Sequence, residues 1–142
     1  MKKLVKILEE SEDKTRVRMT HQIEDEDSAF ATTVKSKVIL FDELLNVGDD
    51  CLKSIIAQVP HRPMAMALQD LQDWKVKVFI ALMTKPYKIR FDDEIEALGP
   101  LSEAMVAAAK RRVVKTAREL ESFGQINLGR FTVRDGDEEP FL

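Results

Sequence analysis

Thr84-Lys85-Pro86-Tyr87-Lys88-Ile89-Arg90-Phe91-Asp92-Asp93-Glu94-Ile95-Glu96-Ala97-Leu98-Gly99-Pro100 carries its own start and stop signals, and the fold class follows from reading it. Thr84 is a favourable N-cap, Pro86 falls in the first turn where a missing N–H is tolerated, and Gly99-Pro100 forbids continuation. Inside this helical pattern the basic residues Lys85, Lys88 and Arg90 crowd the N-terminal end, and the acidic residues Asp92, Asp93, Glu94 and Glu96 the C-terminal end. That order opposes the helix dipole, which favours acids first and bases last by ~0.3–1 kcal/mol per exposed charge. Lys88 and Asp92, and Arg90 and Glu94, stand four apart and can pair, but such pairs contribute only ~0.2–0.5 kcal/mol and the basic-first order is the weaker one. A charge order that does little for its own helix points to a partner outside it.

The same punctuation recurs on both sides. Downstream, Ser102 caps the longest helix, on which Val106, Ala109, Val113, Ala117 and Leu120 recur every three or four residues before a C-cap at Gly124. Upstream, Asp73 caps a helix carrying Val76, Phe79, Ile80 and Met83, and Arg62-Pro63 opens a short one with Met64, Ala67 and Leu68. Gly48-Asp49-Asp50 makes a turn and N-cap for Leu52, Ile55, Ile56 and Val59, with Pro60 as the stop. The first forty residues read as three short helices. One places Leu4, Ile7 and Leu8 on a single face and ends in the polar run Glu9 to Asp13. The next runs from Lys14 to about Glu24, and the third, led by Asp25-Glu26-Asp27, passes through Ala29, Ala31, Val34 and Val38. Val38-Ile39-Leu40-Phe41 has strand-like composition but no second strand to pair with, and reads as a buried connector into a helical turn at Phe41-Asp42-Glu43-Leu44-Leu45. After Gly124, a brief extension over Ile126 to Val133 leads into the acidic run Asp135 to Glu139. Many short, well-capped helices without strands predict an all-α chain, a superhelical stack of helical units.

Composition narrows the function. A net charge of −3 gives no sustained basic surface for phosphates. The basic cluster Lys110-Arg111-Arg112 with Lys115 and Arg118 alternates with Glu119 and Glu121 and reads as a solvated face. No apolar run approaches a membrane span and Met1 to Val5 lack a signal peptide's apolar segment, so a soluble protein of the cytosol is expected. One cysteine and two distant histidines resemble no zinc spacing. No phosphate loop, nucleophile elbow or HExxH motif is present, and His21 and His61 lie in polar segments without a nucleophile, so no catalysis and no cofactor are expected. Asp49-Asp50 beside Cys51 would raise its pKa and leave it inert. Trp74, beside Lys75 and Lys77, reads equally well as a partner anchor or as packing over its helix, and Met64, Met66 and Met83 read as core.

Taken together, Phe41 to Leu45, Asp49-Asp50, Ala65-Met66-Ala67-Leu68, Asp92 to Pro100, and Ala117-Arg118-Glu119-Leu120-Glu121 closing on Gly124 resemble, in order and spacing, the C-terminal half of the FliG family of flagellar motor switch proteins. The resemblance covers roughly residues 2 to 128. It implies an armadillo-like stack of short helices followed by a compact multi-helix C-terminal unit. Residues 1–37 would be the end of a middle-domain-like segment, 38–128 the C-terminal-like domain, and 129–142 a flexible acidic tail. Val38, Ile39, Leu40 and Phe41 take the place of the family's Met-Phe-x-Phe hinge, and Gly99-Pro100 its helix terminator. The implied role is a non-enzymatic rotor component at the cytoplasmic face of the inner membrane, self-associating in a ring and contacting the switch protein FliM and a cytoplasmic loop of the stator MotA. Asp93 and Glu94 fall on the family's acidic pair. Gln69-Asp70, Pro86 and Ser102 stand where the family has basic residues, and Lys85, Lys88 and Arg90 are the candidates to supply that charge from neighbouring positions.

Two other readings remain. A divergent FliG-like adaptor would keep the scaffold and serve a different assembly. A regulatory helical domain resembling the cytosolic part of magnesium transporters would need Asp25 to Asp27, or Asp92 to Glu94, to bind a hard cation.

Overall fold

A computed structural model of the chain describes residues 1–129. Among them the order is α1 (Lys2–Glu10), α2 (Asp13–Glu26), α3 (Ser28–Lys37), a 3-10 turn (Phe41–Asn46), α4 (Asp49–Gln58), α5 (His61–Ala67), α6 (Asp73–Ala81), α7 (Lys85–Ala97) and α8 (Glu103–Ser122). The described chain is all-α, as the punctuation predicts. The acidic run Asp135 to Glu139, and the extension from Arg130 to Val133, lie outside the described residues.

Two compact units divide at Leu40 and Phe41. In the first, α1 packs on α2 and α3, and α2 lies along α3. Val5 and Leu8 of α1 and Ala31 and Val34 of α3 supply the buried apolar positions, while α2 buries no residue fully. The expected inward face of α1 is therefore rotated: Ile7 is half exposed and Glu9, expected in a polar terminator, is 3% exposed. The Glu9 Oε2 accepts the backbone N–H of Ile39 at 2.7 Å, giving the first residue of the connector that is buried a charged partner. Asp27 caps α3, its carboxylate accepting from the N–H of Phe30. Glu24 on α2 bonds Lys35 on α3, and the ammonium holds this carboxyl below the ordinary glutamate range.

In the second unit, α5 packs on both α7 and α8, and α4 and the 3-10 turn rest on α8. Ala65 and Ala67 on α5 and Ala109 and Ala117 on α8 are all buried, and their small side chains permit this close packing. Leu44, Leu52, Ile55, Met64, Phe79 and Val113 fill the centre. Phe41 stacks on Phe79 with ring centroids 5.3 Å apart. Of the methionines read as core, Met64 is fully buried whereas Met66 and Met83 are half-buried. One N-cap agrees with expectation and one differs. Asp49 and Asp50 lie in the first turn of α4 and Asp73 in that of α6, none supplying a side-chain cap; Gly48, at φ 95°, and Gln72 hold the cap positions. Acids there still complement the dipole. Only glycine reaches the Gly48 backbone angle without strain.

Candidate functional site

Helix α7 is fixed at both ends and along one side. The Thr84 hydroxyl accepts the N–H of Tyr87 at 3.3 Å, Pro86 sits in the first turn, and the chain becomes extended at Leu98 before Gly99-Pro100. Tyr87 and Phe91, four residues apart, are 8% and 2% exposed and form the inward side. The Tyr87 hydroxyl donates to the carbonyl of Val59 at 2.7 Å and its ring lies 4.4 Å from that of His61 at a 45° tilt. Burial pushes the phenol's pKa well above the ordinary tyrosine value, so it remains a donor at any physiological pH.

At ~100° per residue, Lys85, Ile89, Asp92, Asp93 and Glu96 share the face opposite Tyr87 and Phe91. All five are exposed, with Ile89 at its apex. Lys88 lies on one flank and bonds Asp92 at 2.8 Å, as the four-residue spacing predicts. Arg90 lies on the other. Its expected pairing with Glu94 is not what forms: Glu94 is turned to the inner edge, its Oε1 3.4 Å from Nη1 of Arg62 on α5. The adjacent acids Asp93 and Glu94 therefore do different things, the first presented outward and the second tied to a neighbouring helix. The face is a ridge with Lys85 at one end, three acids towards the other and an isoleucine between, flanked by Lys88 and Arg90.

The positions where the resemblance led to an expectation of basic residues have local structural tasks. The Gln69 amide donates to the Ala65 carbonyl at 3.0 Å, Asp70 bonds Lys110 at 2.5 Å, and the Ser102 hydroxyl caps α8 by accepting from Met105 N–H at 3.1 Å. Lys110 also stands 5.8 Å from the ring centroid of Phe41. By spacing alone it belongs to a solvated face, because pairings across distant helices leave no periodic signal. Trp74 is half-buried, with the ammonium of Lys75 5.7 Å from its ring centroid.

Among the described residues no group of three or more His, Cys, Asp or Glu side chains is placed to hold a metal. Successive residues of a helix fan out by ~100°, so Asp92, Asp93 and Glu94 cannot converge, and Asp27 is occupied as a cap. The cation-binding reading of these clusters is corrected accordingly. The Cys51 thiol is pushed up as expected, but the cause is burial first, with Glu121 adding and a backbone hydrogen bond with Asn127 opposing, rather than Asp49 and Asp50. No helix among the described residues is long and apolar enough to cross a membrane.

The family model described as FliG C-terminal domain matches residues 21–128. The flagellar motor switch protein FliG of Borreliella burgdorferi is 24% identical over 139 residues, covering 98% of this chain and 39% of the relative. That of Thermotoga maritima is 23% identical over 116 residues, covering 82% and 35%. The chain thus spans well under half the length of these curated relatives. A crystal structure of FliG residues 86–343 from H. pylori superposes with a TM-score of 0.66 at 18% identity, over 87% of this chain and 58% of that one, which shows a shared fold.

Proposed function

As the chain belongs to the FliG C-terminal domain family, we propose that it is a non-enzymatic protein–protein interaction module of a flagellar rotor, working in torque generation and switching. The observation that supports this most is the outward ridge of α7, where Lys85, Asp92, Asp93 and Glu96 surround Ile89 on a helix whose other side is locked by Tyr87 and Phe91. A rigid helix with charges segregated along it suits an electrostatic contact that sets orientation and encounter rate more than affinity. The partners proposed are a MotA-like cytoplasmic stator loop on the ridge and a FliM-like switch protein elsewhere on the module. The proposed setting is the cytoplasmic face of the inner membrane, in a self-associating ring. Val38 to Phe41 are proposed as the hinge between the units.

The test uses Asp93→Lys rather than a double reversal with Glu94, because Glu94 also pairs with Arg62 and its reversal would change a contact within the fold as well as the outward face. Binding of the purified chain to a stator-loop peptide and to the switch protein is measured at low and high salt. Asp93→Lys is expected to weaken the stator contact at least tenfold at low salt, with an unchanged thermal melt and switch-protein binding intact. Equal stator binding by both proteins at low salt overturns the ridge assignment. The capping and pairing roles taken by Gln69, Asp70 and Ser102 favour one second reading, a divergent adaptor for another assembly. Binding to neither partner would support it.

A further inference from the structure

The basic cluster on α8 is not used by the α7 ridge and is only partly neutralised within the fold. Lys110 turns to Asp70 and Arg118 bonds Glu121 at 2.8 Å. Arg112 and Lys115 are exposed and Arg111 half-buried, and none of the three forms an ion pair with a described residue. At ~100° per residue they lie together with Ala104 and Ala108 on the side of α8 opposite the buried Val106, Ala109, Val113, Ala117 and Leu120. This cationic stripe is left without a covering element among the described residues.

We infer that this stripe is the docking surface for the chain's own acidic segment, Asp135-Gly136-Asp137-Glu138-Glu139. Charge complementarity is the first argument, because four carboxylates in five residues face three uncommitted cations. Reach is the second. Leu128 is buried, and its N–H donates to Glu121 Oε2 at 3.3 Å, so the described chain ends beside the last turns of α8. From Gly129, the six residues to Asp135 span up to about 20 Å when extended. The stripe from Lys115 back to Arg111 lies only ~9–15 Å along the helix from Glu121. A tethered ligand of this kind acts at ~mM effective concentration through its short linker. It therefore competes in cis with any acidic partner for α8.

A nitroxide at Gly136→Cys in the full chain, with Cys51→Ala, tests this through paramagnetic broadening of amide resonances. Broadening is expected at Arg111, Arg112 and Lys115 at low ionic strength, and should be largely lost at 0.5–1 M salt, where the screening length shrinks to ~3–4 Å. It should also be lost in Arg111→Gln/Arg112→Gln/Lys115→Gln, and in the full chain with all four acids neutralised to amides. Arg112 and Lys115 are exposed and Arg111 is half-buried, so an unchanged thermal melt of the triple variant is the control for intact folding, and Arg112→Gln/Lys115→Gln is the second variant, expected to weaken the broadening on its own. Absence of α8 broadening, or broadening that survives the glutamine variant, overturns the inference. So does broadening that arises only between labelled and unlabelled molecules in a mixed sample, which would assign the stripe to a second copy.

Discussion

Glu9 offers the sharpest quantitative test of how the connector is held. Its side chain is 3% exposed and Oε2 accepts the Ile39 N–H at 2.7 Å, a short, charge-assisted bond in a buried setting. Hydrogen bonds to a charged group contribute ~1.5–3 kcal/mol, and an orphaned buried N–H costs ~1–3 kcal/mol. Glu9→Leu fills the space with apolar atoms but leaves Ile39 without its acceptor, so a local loss of ~2 kcal/mol is expected. That corresponds to roughly a 30-fold rise in the opening constant that governs exchange of the Ile39 amide. Glu9→Gln keeps a carbonyl oxygen as acceptor for Ile39 and removes the charge assistance of that bond, roughly half its free energy and about fivefold in exchange. Native-state hydrogen exchange reads this directly, with Leu8 and Val34 amides of the same unit as internal references. The Ile39 amide should accelerate beyond those references in the order leucine variant, glutamine variant, parent. Equal Ile39 exchange in all three proteins refutes the reasoning, and so does uniform acceleration of the whole unit with no excess at Ile39.

Tyr87→Phe should lower the stability of the second unit by about 1–2 kcal/mol in urea titration, because the ring is kept but the Val59 carbonyl loses its buried donor. The folded phenol titrates above the unfolded one. Its contribution is thus complete below the ordinary tyrosine value and is lost as pH rises from there towards the raised folded value, an alkaline fall that the phenylalanine variant should lack. For Glu24 the sign is opposite: Lys35 depresses its folded value, so the α2–α3 link is present above the ordinary glutamate value and is lost as pH falls through the depressed one. Carboxyl NMR titration should place Glu24 below ordinary glutamates in the parent and return it towards them in Lys35→Gln.

What was legible in the sequence was whatever repeats locally. Thr84, Asp27 and Ser102 were readable as N-caps because the side chain and the N–H it bonds lie three residues apart. The same rule misplaced Asp73, since Gln72 one residue earlier holds the extended cap conformation. Long-range choices left no such trace. Glu9 looked like part of a polar terminator because its partner lies thirty residues on. Lys110 looked solvated although Asp70 and Phe41 meet it from other elements, and Glu94 was given to Arg90 although Arg62 reaches it. For each of these charged groups, spacing along one helix was a weaker guide than the helix packed beside it.

The adverse charge order of α7 is explained by the same distinction. Each misplaced charge costs at most ~1 kcal/mol against the dipole, whereas burying an aromatic side chain contributes on the order of 2–3 kcal/mol. Two aromatics, a hydroxyl cap and a proline in the first turn hold this helix. Its outward residues therefore bear little responsibility for folding. Exchanging Asp93 or Glu96 for opposite charges is expected to leave the thermal melt unchanged, while the same change at Glu94 also removes a surface pair with Arg62 that is worth at most ~1 kcal/mol. The division between the two adjacent acids is thus physical. Asp93 is presented to solvent, and Glu94 is paired with Arg62 on α5.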